Sequence, residues 1–167
     1  MKAYMGITCK AGAYSETLQG LMKLNIPKRD IFLLFGPVDI LVQFKDMANL
    51  EEFKQKWFDP VRLKCCKEGQ VKKTMTFVVI QEGSRYEEEP YAFVFLNVQS
   101  HLLEKAQEAL IEISNVVSAD IVLGSYDIIC SIRAGGHDEL EKLISTIQKT
   151  VPGIEGTATT IVSGIRI

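Results

Sequence analysis

The sequence predicts an α+β protein built from two ferredoxin-like βαββαβ repeats in tandem. Three pairs of segments carry this expectation. Extended, apolar-rich Ala3–Cys9 recurs in character as Ala92–Val98 at an offset of 89 residues. Phe35-Gly36-Pro37-Val38-Asp39-Ile40 aligns with Leu123-Gly124-Ser125-Tyr126-Asp127-Ile128 at 88, and Thr74–Val79 with Thr157–Val162 at 83. Three anchors in one order read as a duplication.

In the first repeat, a helix is expected where Leu18, Leu21 and Met22 recur at helical steps, and a second where Leu50, Phe53 and Trp57 do. Arg62–Gly69 reads as an enlarged loop before the last strand. Residues 83–90 read as a solvated linker, because three glutamates precede a proline that cannot donate to a ladder. In the second repeat, Gly124-Ser125 divides residues 116–134 into two strands joined by a hairpin. Leu103, Ala106, Leu110 and Ile113 mark one helix; Leu140, Leu143, Ile144 and Ile147 mark the other. Residues 154–163 return to a Thr/Ile/Val strand composition. The expected division is residues 1–82, a linker at 83–90, and residues 91–167.

Right-handed crossovers place both helices of a repeat on one face of its sheet. Yet Ile128, Ile129, Cys130 and Ile132 put apolar groups on both faces of one strand, and Met75–Ile80 does so too. At roughly 25 cal/mol per Å² buried, hiding the second face against another sheet is favourable by several kcal/mol. The expectation is therefore sheets packed as a dimeric α+β barrel, within one chain or between chains.

The net charge of −2 offers no general attraction to nucleic acid or an acidic membrane. Residues 1–83 carry 13 Lys/Arg against 9 Asp/Glu and residues 84–167 carry 6 against 12, which favours contact between halves or chains. There is no signal-peptide pattern or membrane-spanning run, and the four cysteines lack a scaffold spacing. The expected location is the cytoplasm.

The segment from Ala92 to Ile165 resembles the small-molecule domain of Lrp/AsnC regulators, the RAM domain. Val116–Ile129 is similar to that family's apolar strand, Gly-x-Tyr-Asp hairpin and second apolar strand, and Ile154–Val162 to its threonine-rich last strand. The first repeat resembles the pattern more weakly, with Val38 where the tyrosine is expected. The resemblance implies a barrel that binds an amino acid or similar metabolite near the hairpin. It carries a ligand site to Gly124, Tyr126, Asp127, Thr157 and Thr159, and in the first repeat to Gly36, Asp39, Thr74 and Thr76. Glycine admits close backbone approach, aspartate accepts from an ammonium group, and threonine hydroxyls can hold a carboxylate. The same residues also suit a hairpin with no ligand, in which Gly124 permits a positive φ and Asp127 accepts only from turn amides. With the first strand starting at Ala3, no room is expected for the family's DNA-binding helix-turn-helix, and so no direct DNA contact.

Other constellations read as structural. Vicinal Cys65-Cys66 is a weak soft-metal candidate without the Cys-x-x-Cys knuckle of zinc sites. His101 and His137 sit at helix starts, where they can serve free backbone amides. Arg62, Lys64, Lys67, Lys72 and Lys73 form a basic patch, read as a solvated surface with phosphate or an acidic partner as the alternative. The functional expectation is a stand-alone, non-catalytic sensor with no cofactor or metal. It would modulate transcription through a partner, as a homo-oligomer or with a full-length regulator. The alternatives are a dimeric α+β barrel enzyme of monooxygenase, isomerase or haem type, and a purely structural assembly module.

Overall fold

The computed structural model describes residues 1–65 and 70–164. They form two compact units: Met1–Val78 with the chain's end from Ser163, and Val79–Val162. Both are mixed α and β. Among the described residues, no helix is long and apolar enough to cross a membrane.

The first unit runs β1 (Ala3–Cys9), α1 (Tyr14–Lys23), β2 (Ile31–Phe35), β3 (Ile40–Phe44), α2 (Leu50–Phe53) and β4 (Val71–Gln81), the last three residues of β4 falling in the second unit. Its strands neighbour one another as β4-β1-β3-β2, all antiparallel. Asn49 starts α2, its Oδ1 accepting from the Glu52 amide at 2.9 Å, which satisfies one of the free donors of a helix start. The helix continues through π-helical turns at Lys54–Phe58 and Val61–Cys65. Pro60 lies between them, supplies no N–H and crowds the carbonyl four residues back, so the bonding slips to the wider i→i+5 pattern seen from the Asp59 amide to the Lys54 carbonyl. Arg62–Cys65, expected as loop, is thus helical; residues 66–69 of that expected loop lie outside the described residues.

The second unit runs β5 (Ala92–Val98), α3 (Leu103–Glu112), β6 (Val116–Leu123), β7 (Ile128–Ile132), α4 (His137–Thr150) and β8 (Ile154–Val162). Its strand order is β8-β5-β7-β6, again antiparallel throughout. The segment after β4 is more than a spacer. Gly83 accepts from the Ala119 amide at 2.6 Å, Arg85 donates its amide to Val117 at 3.1 Å, and Ser84 bridges to Ser118, so it runs beside β6. Arg133 then stacks on the Tyr86 ring at 5.3 Å and pairs with Glu88 at 3.3 Å. Glu87 to Glu89 are exposed, as a solvated run requires.

Each unit has a core between its helices and one sheet face. Ala3, Met5, Ile7, Leu21, Ile40, Val42 and Phe53 fill the first, where Phe44 meets Phe53 and Trp57 at 5.4 and 5.6 Å between ring centroids. Val94, Leu96, Leu110, Ile128, Leu140 and Ile147 fill the second. Burying each such Leu or Ile stabilises by roughly 1.5–3 kcal/mol. The opposite faces are also withdrawn from water: Tyr4, Leu41 and Phe77 in one unit, and Phe93, Phe95 and Ile129 in the other, are at most 1% exposed. That second face also buries polar Asp120, Ser118, Ser131 and Thr160.

Candidate functional site

The hairpin of each unit is pinned by an aspartate in the same way. Asp127, after the turn from β6, donates its amide to the Leu96 carbonyl at 2.9 Å and accepts from the Val122 amide at 2.9 Å. Its Oδ2 accepts from the Val98 amide at 2.9 Å. Asp39 repeats the set, donating to Ile7 at 3.0 Å, accepting from Leu34 at 2.9 Å, and taking the Cys9 amide on Oδ2 at 2.7 Å.

Strand pairing explains why a carboxylate is needed there. Between Asn97 and Val98 the register against β8 shifts, Asn97 facing Gly156 and Val98 facing Ile154, so Glu155 bulges. Between Thr8 and Cys9 it shifts likewise, leaving Lys72 as the extra residue. A bulge withdraws an amide from the ladder, and a buried unpaired amide is costly; the aspartate supplies the missing acceptor. One oxygen of Asp127 and one of Asp39 are therefore committed to the backbone.

The structure gathers some of the expected site residues and separates others. Gly124 and Ser125 are exposed at the turn. Thr157 lies opposite Leu96, the residue that accepts from Asp127, and so stands beside the pinned hairpin. Its Oγ1 accepts from Gln148 of α4 at 3.3 Å. Thr159 lies opposite Val94, two residues further into the sheet. Leu96 and Val94 belong to the helix-side core, and directly opposed residues share a face, so both threonines are on the helix side. Tyr126 packs its ring on Phe95 at 5.4 Å, and Phe95 points to the other face. The expected cluster is thus split across the sheet at its hairpin end.

In the first unit, Thr74 lies opposite Ile7 and Thr76 opposite Met5, matching Thr157 and Thr159. The aromatic pair is absent. Val38, only 2% exposed, fills the place of Tyr126 against Gly6, where a Cβ would stand 3.2 Å from Val38 Cγ1. Gly36 is exposed like Gly124.

A group that sequence reading placed in the strand core lies beside Asp39. Burial raises the Cys9 thiol pKa above its usual range, the Thr17 hydroxyl partly offsets this, and the Asp39 charge adds to the rise. The Tyr14 hydroxyl is raised by burial first, then by Cys9 and Asp39. Cys9 is accordingly a protonated, weakly nucleophilic thiol. The only advance sign was a cysteine at the end of the strand that precedes α1.

Cys65 is buried, whereas its expected metal partner Cys66 lies outside the described residues. No group of three or more His, Cys, Asp or Glu able to hold a metal occurs among the described residues. His137 starts α4 but faces Glu141 at 3.5 Å rather than capping amides; the Gly135 amide ahead of the helix is instead taken by Glu139 Oε2 at 2.7 Å. His101 is exposed. In the basic patch, Arg62 stacks on Phe58 at 4.8 Å, Lys72 and Lys73 are exposed, and Lys67 lies outside the described residues.

Residues 91–165, somewhat less than half of the chain, match the family model of the Lrp/AsnC ligand binding domain. No curated protein gives a significant match. Among solved structures, a siroheme decarboxylase in complex with an iron-uroporphyrin III analogue is 9% identical, covering 98% of this chain and 71% of its own, with a TM-score of 0.57. A monooxygenase-like protein from Listeria innocua is 15% identical over 98% of this chain and 94% of its own, with a TM-score of 0.51. A protein from Thermus thermophilus is 24% identical over 46% of this chain and 94% of its own, with a TM-score of 0.42. The first two show a shared fold along nearly the entire chain.

Proposed function

We propose, on the premise that residues 91–165 are an Lrp/AsnC ligand binding domain, that the protein is a non-catalytic cytoplasmic sensor of an amino acid or related metabolite. It takes its ligand at the β6–β7 hairpin and modulates transcription through a partner rather than through DNA contact. The family match over that hairpin is the observation that carries this reading. The repeated element and strand orders support reading the chain as tandem ferredoxin-like repeats. Phe35 and Leu123, at equivalent hairpin positions and 65% and 59% exposed, are the surfaces through which a homo-oligomer or a full-length regulator is engaged. A ligand acts by binding one assembly state more tightly than another.

Because Asp127 also pins the fold, its removal is a poor test of binding. Thermal-shift screening with the standard amino acids, on wild type and Thr157→Val, is cleaner. A ligand at about 100 times its Kd stabilises by about 2.7 kcal/mol, a rise of several degrees, which Thr157→Val should diminish. No shift with any amino acid would overturn the reading. A tetrapyrrole absorbance band in the purified protein would replace it with an enzyme related in chemistry to the siroheme decarboxylase it resembles in fold.

A further inference from the structure

We infer that the first unit carries a separate small-molecule site, a groove between α1 and the π-helical end of α2, built to take an acidic amino acid. This does not rest on the hairpin reading.

The groove encloses about 530 Å³. Small-molecule sites commonly occupy roughly 300 to 1,000 Å³. Its apolar base is Gly20, Leu24 and Cys65, the last only 2% exposed. A Cβ on Gly20 would lie 3.4 Å from the Cα, Cβ and Sγ of Cys65, so α1 comes close to the π-helical turn there and any longer side chain at this position would enter the groove. Charged groups line the remainder: Lys23 from α1, Lys64 from the π-helical turn, and Glu16, which accepts from Gln70 Nε2 at 3.2 Å. Neither lysine has an ion-pair partner among the described residues.

The second unit shows what the same plan looks like without this arrangement. β1 and β5 begin at residues 3 and 92, α1 and α3 at 14 and 103, so both pairs share an offset of 89. At that offset Glu16, Gly20 and Lys23 become Lys105, Ala109 and Glu112: both charges are reversed, and Ala109 packs against the core. The second helix also differs, α4 being regularly α-helical where the first unit is π-wound. π-Helical turns are uncommon and recur at functional sites, and this one contributes Lys64 and Cys65 to the groove.

Charge complementarity names the ligand class. Two ammonium groups and one carboxylate are matched by two carboxylates and one ammonium, the charges of aspartate or glutamate. Glutarate lacks the group that Glu16 would accept from, and glutamine lacks the second carboxylate.

Isothermal calorimetry on the full chain with L-glutamate and L-aspartate tests the assignment, with L-glutamine and glutarate as comparisons. At least one acidic amino acid should bind at one site per chain, and both comparisons more weakly. Lys23→Met or Lys64→Met should each weaken binding roughly tenfold, the loss of one charge-assisted contact. Gly20→Leu should abolish it while circular dichroism stays native; if that variant unfolds, the lysine variants decide. Amide chemical shifts should move at Gln19 and Gly20. No binding of either acidic amino acid, binding indifferent to both lysines, or shifts confined to residues 124–127 would overturn the groove assignment. Equal affinity for glutarate would overturn its amino-acid specificity.

Discussion

The hairpins of the two units share a backbone and differ in what fills it. Asp39 and Asp127 make three equivalent hydrogen bonds each, beside equivalent bulges at Lys72 and Glu155. Around that frame, Phe95 and Tyr126 stack in the second unit, whereas Gly6 and Val38 meet in the first, and Val98 of the second stands where the first has Cys9. The aspartate answers a backbone demand that any chain with this bulge must meet. The surrounding side chains face no such demand and are free to diverge, so the chemistry of each site lies in the filling rather than in the turn.

The equivalence of the frames is most strongly tested by deleting each aspartate. Asp39→Ala and Asp127→Ala each leave a strand amide without its acceptor and should each cost about 1–3 kcal/mol in chemical denaturation. Similar losses support equivalent frames; a loss confined to one unit breaks the comparison. A smaller effect is expected from the filling. Gly6→Ala brings a Cβ to 3.2 Å from Val38 and should destabilise by about 1 kcal/mol, and Val38→Ala in the same chain should relieve much of that strain, a non-additivity readable in a double-mutant cycle.

The smallest effect concerns Cys9. Its thiol pKa is raised, so below the ordinary value of 9.0 less of it is thiolate, and site-resolved alkylation should run slower than for an unhindered cysteine. Asp39→Asn keeps an acceptor for the Cys9 amide and removes the negative charge that disfavours the thiolate. The thiol pKa should fall and alkylation should quicken several-fold, with Cys130, wholly buried, still unreactive. An unchanged rate would show that burial alone protects Cys9.

Much of the frame was legible in advance. The helical steps of Leu103, Ala106 and Leu110 and of Leu140, Leu143 and Ile147 report on local geometry, and each triplet faces its core. The Gly-x-x-Asp hairpins were equally visible. The candidate site was only half legible, because strand register sends Thr157 and Thr159 to the helix side while Tyr126 turns to Phe95 on the other. In segment 83–90 the exposure of Glu87 to Glu89 was legible from charge, whereas the backbone bonds of Gly83 and Arg85 to β6 were not, because charge says nothing of where backbone amides find partners.

The order of elements and the apolar stripe of each helix were already written in the chain, since periodicity is a local property that a segment carries wherever it folds. Three-dimensional packing was needed to commit two aspartates to bulged strands and to bring Gly20 and Cys65 together beneath two lysines. Those outcomes depend on register and on close approach between residues far apart in the chain, which no local pattern encodes.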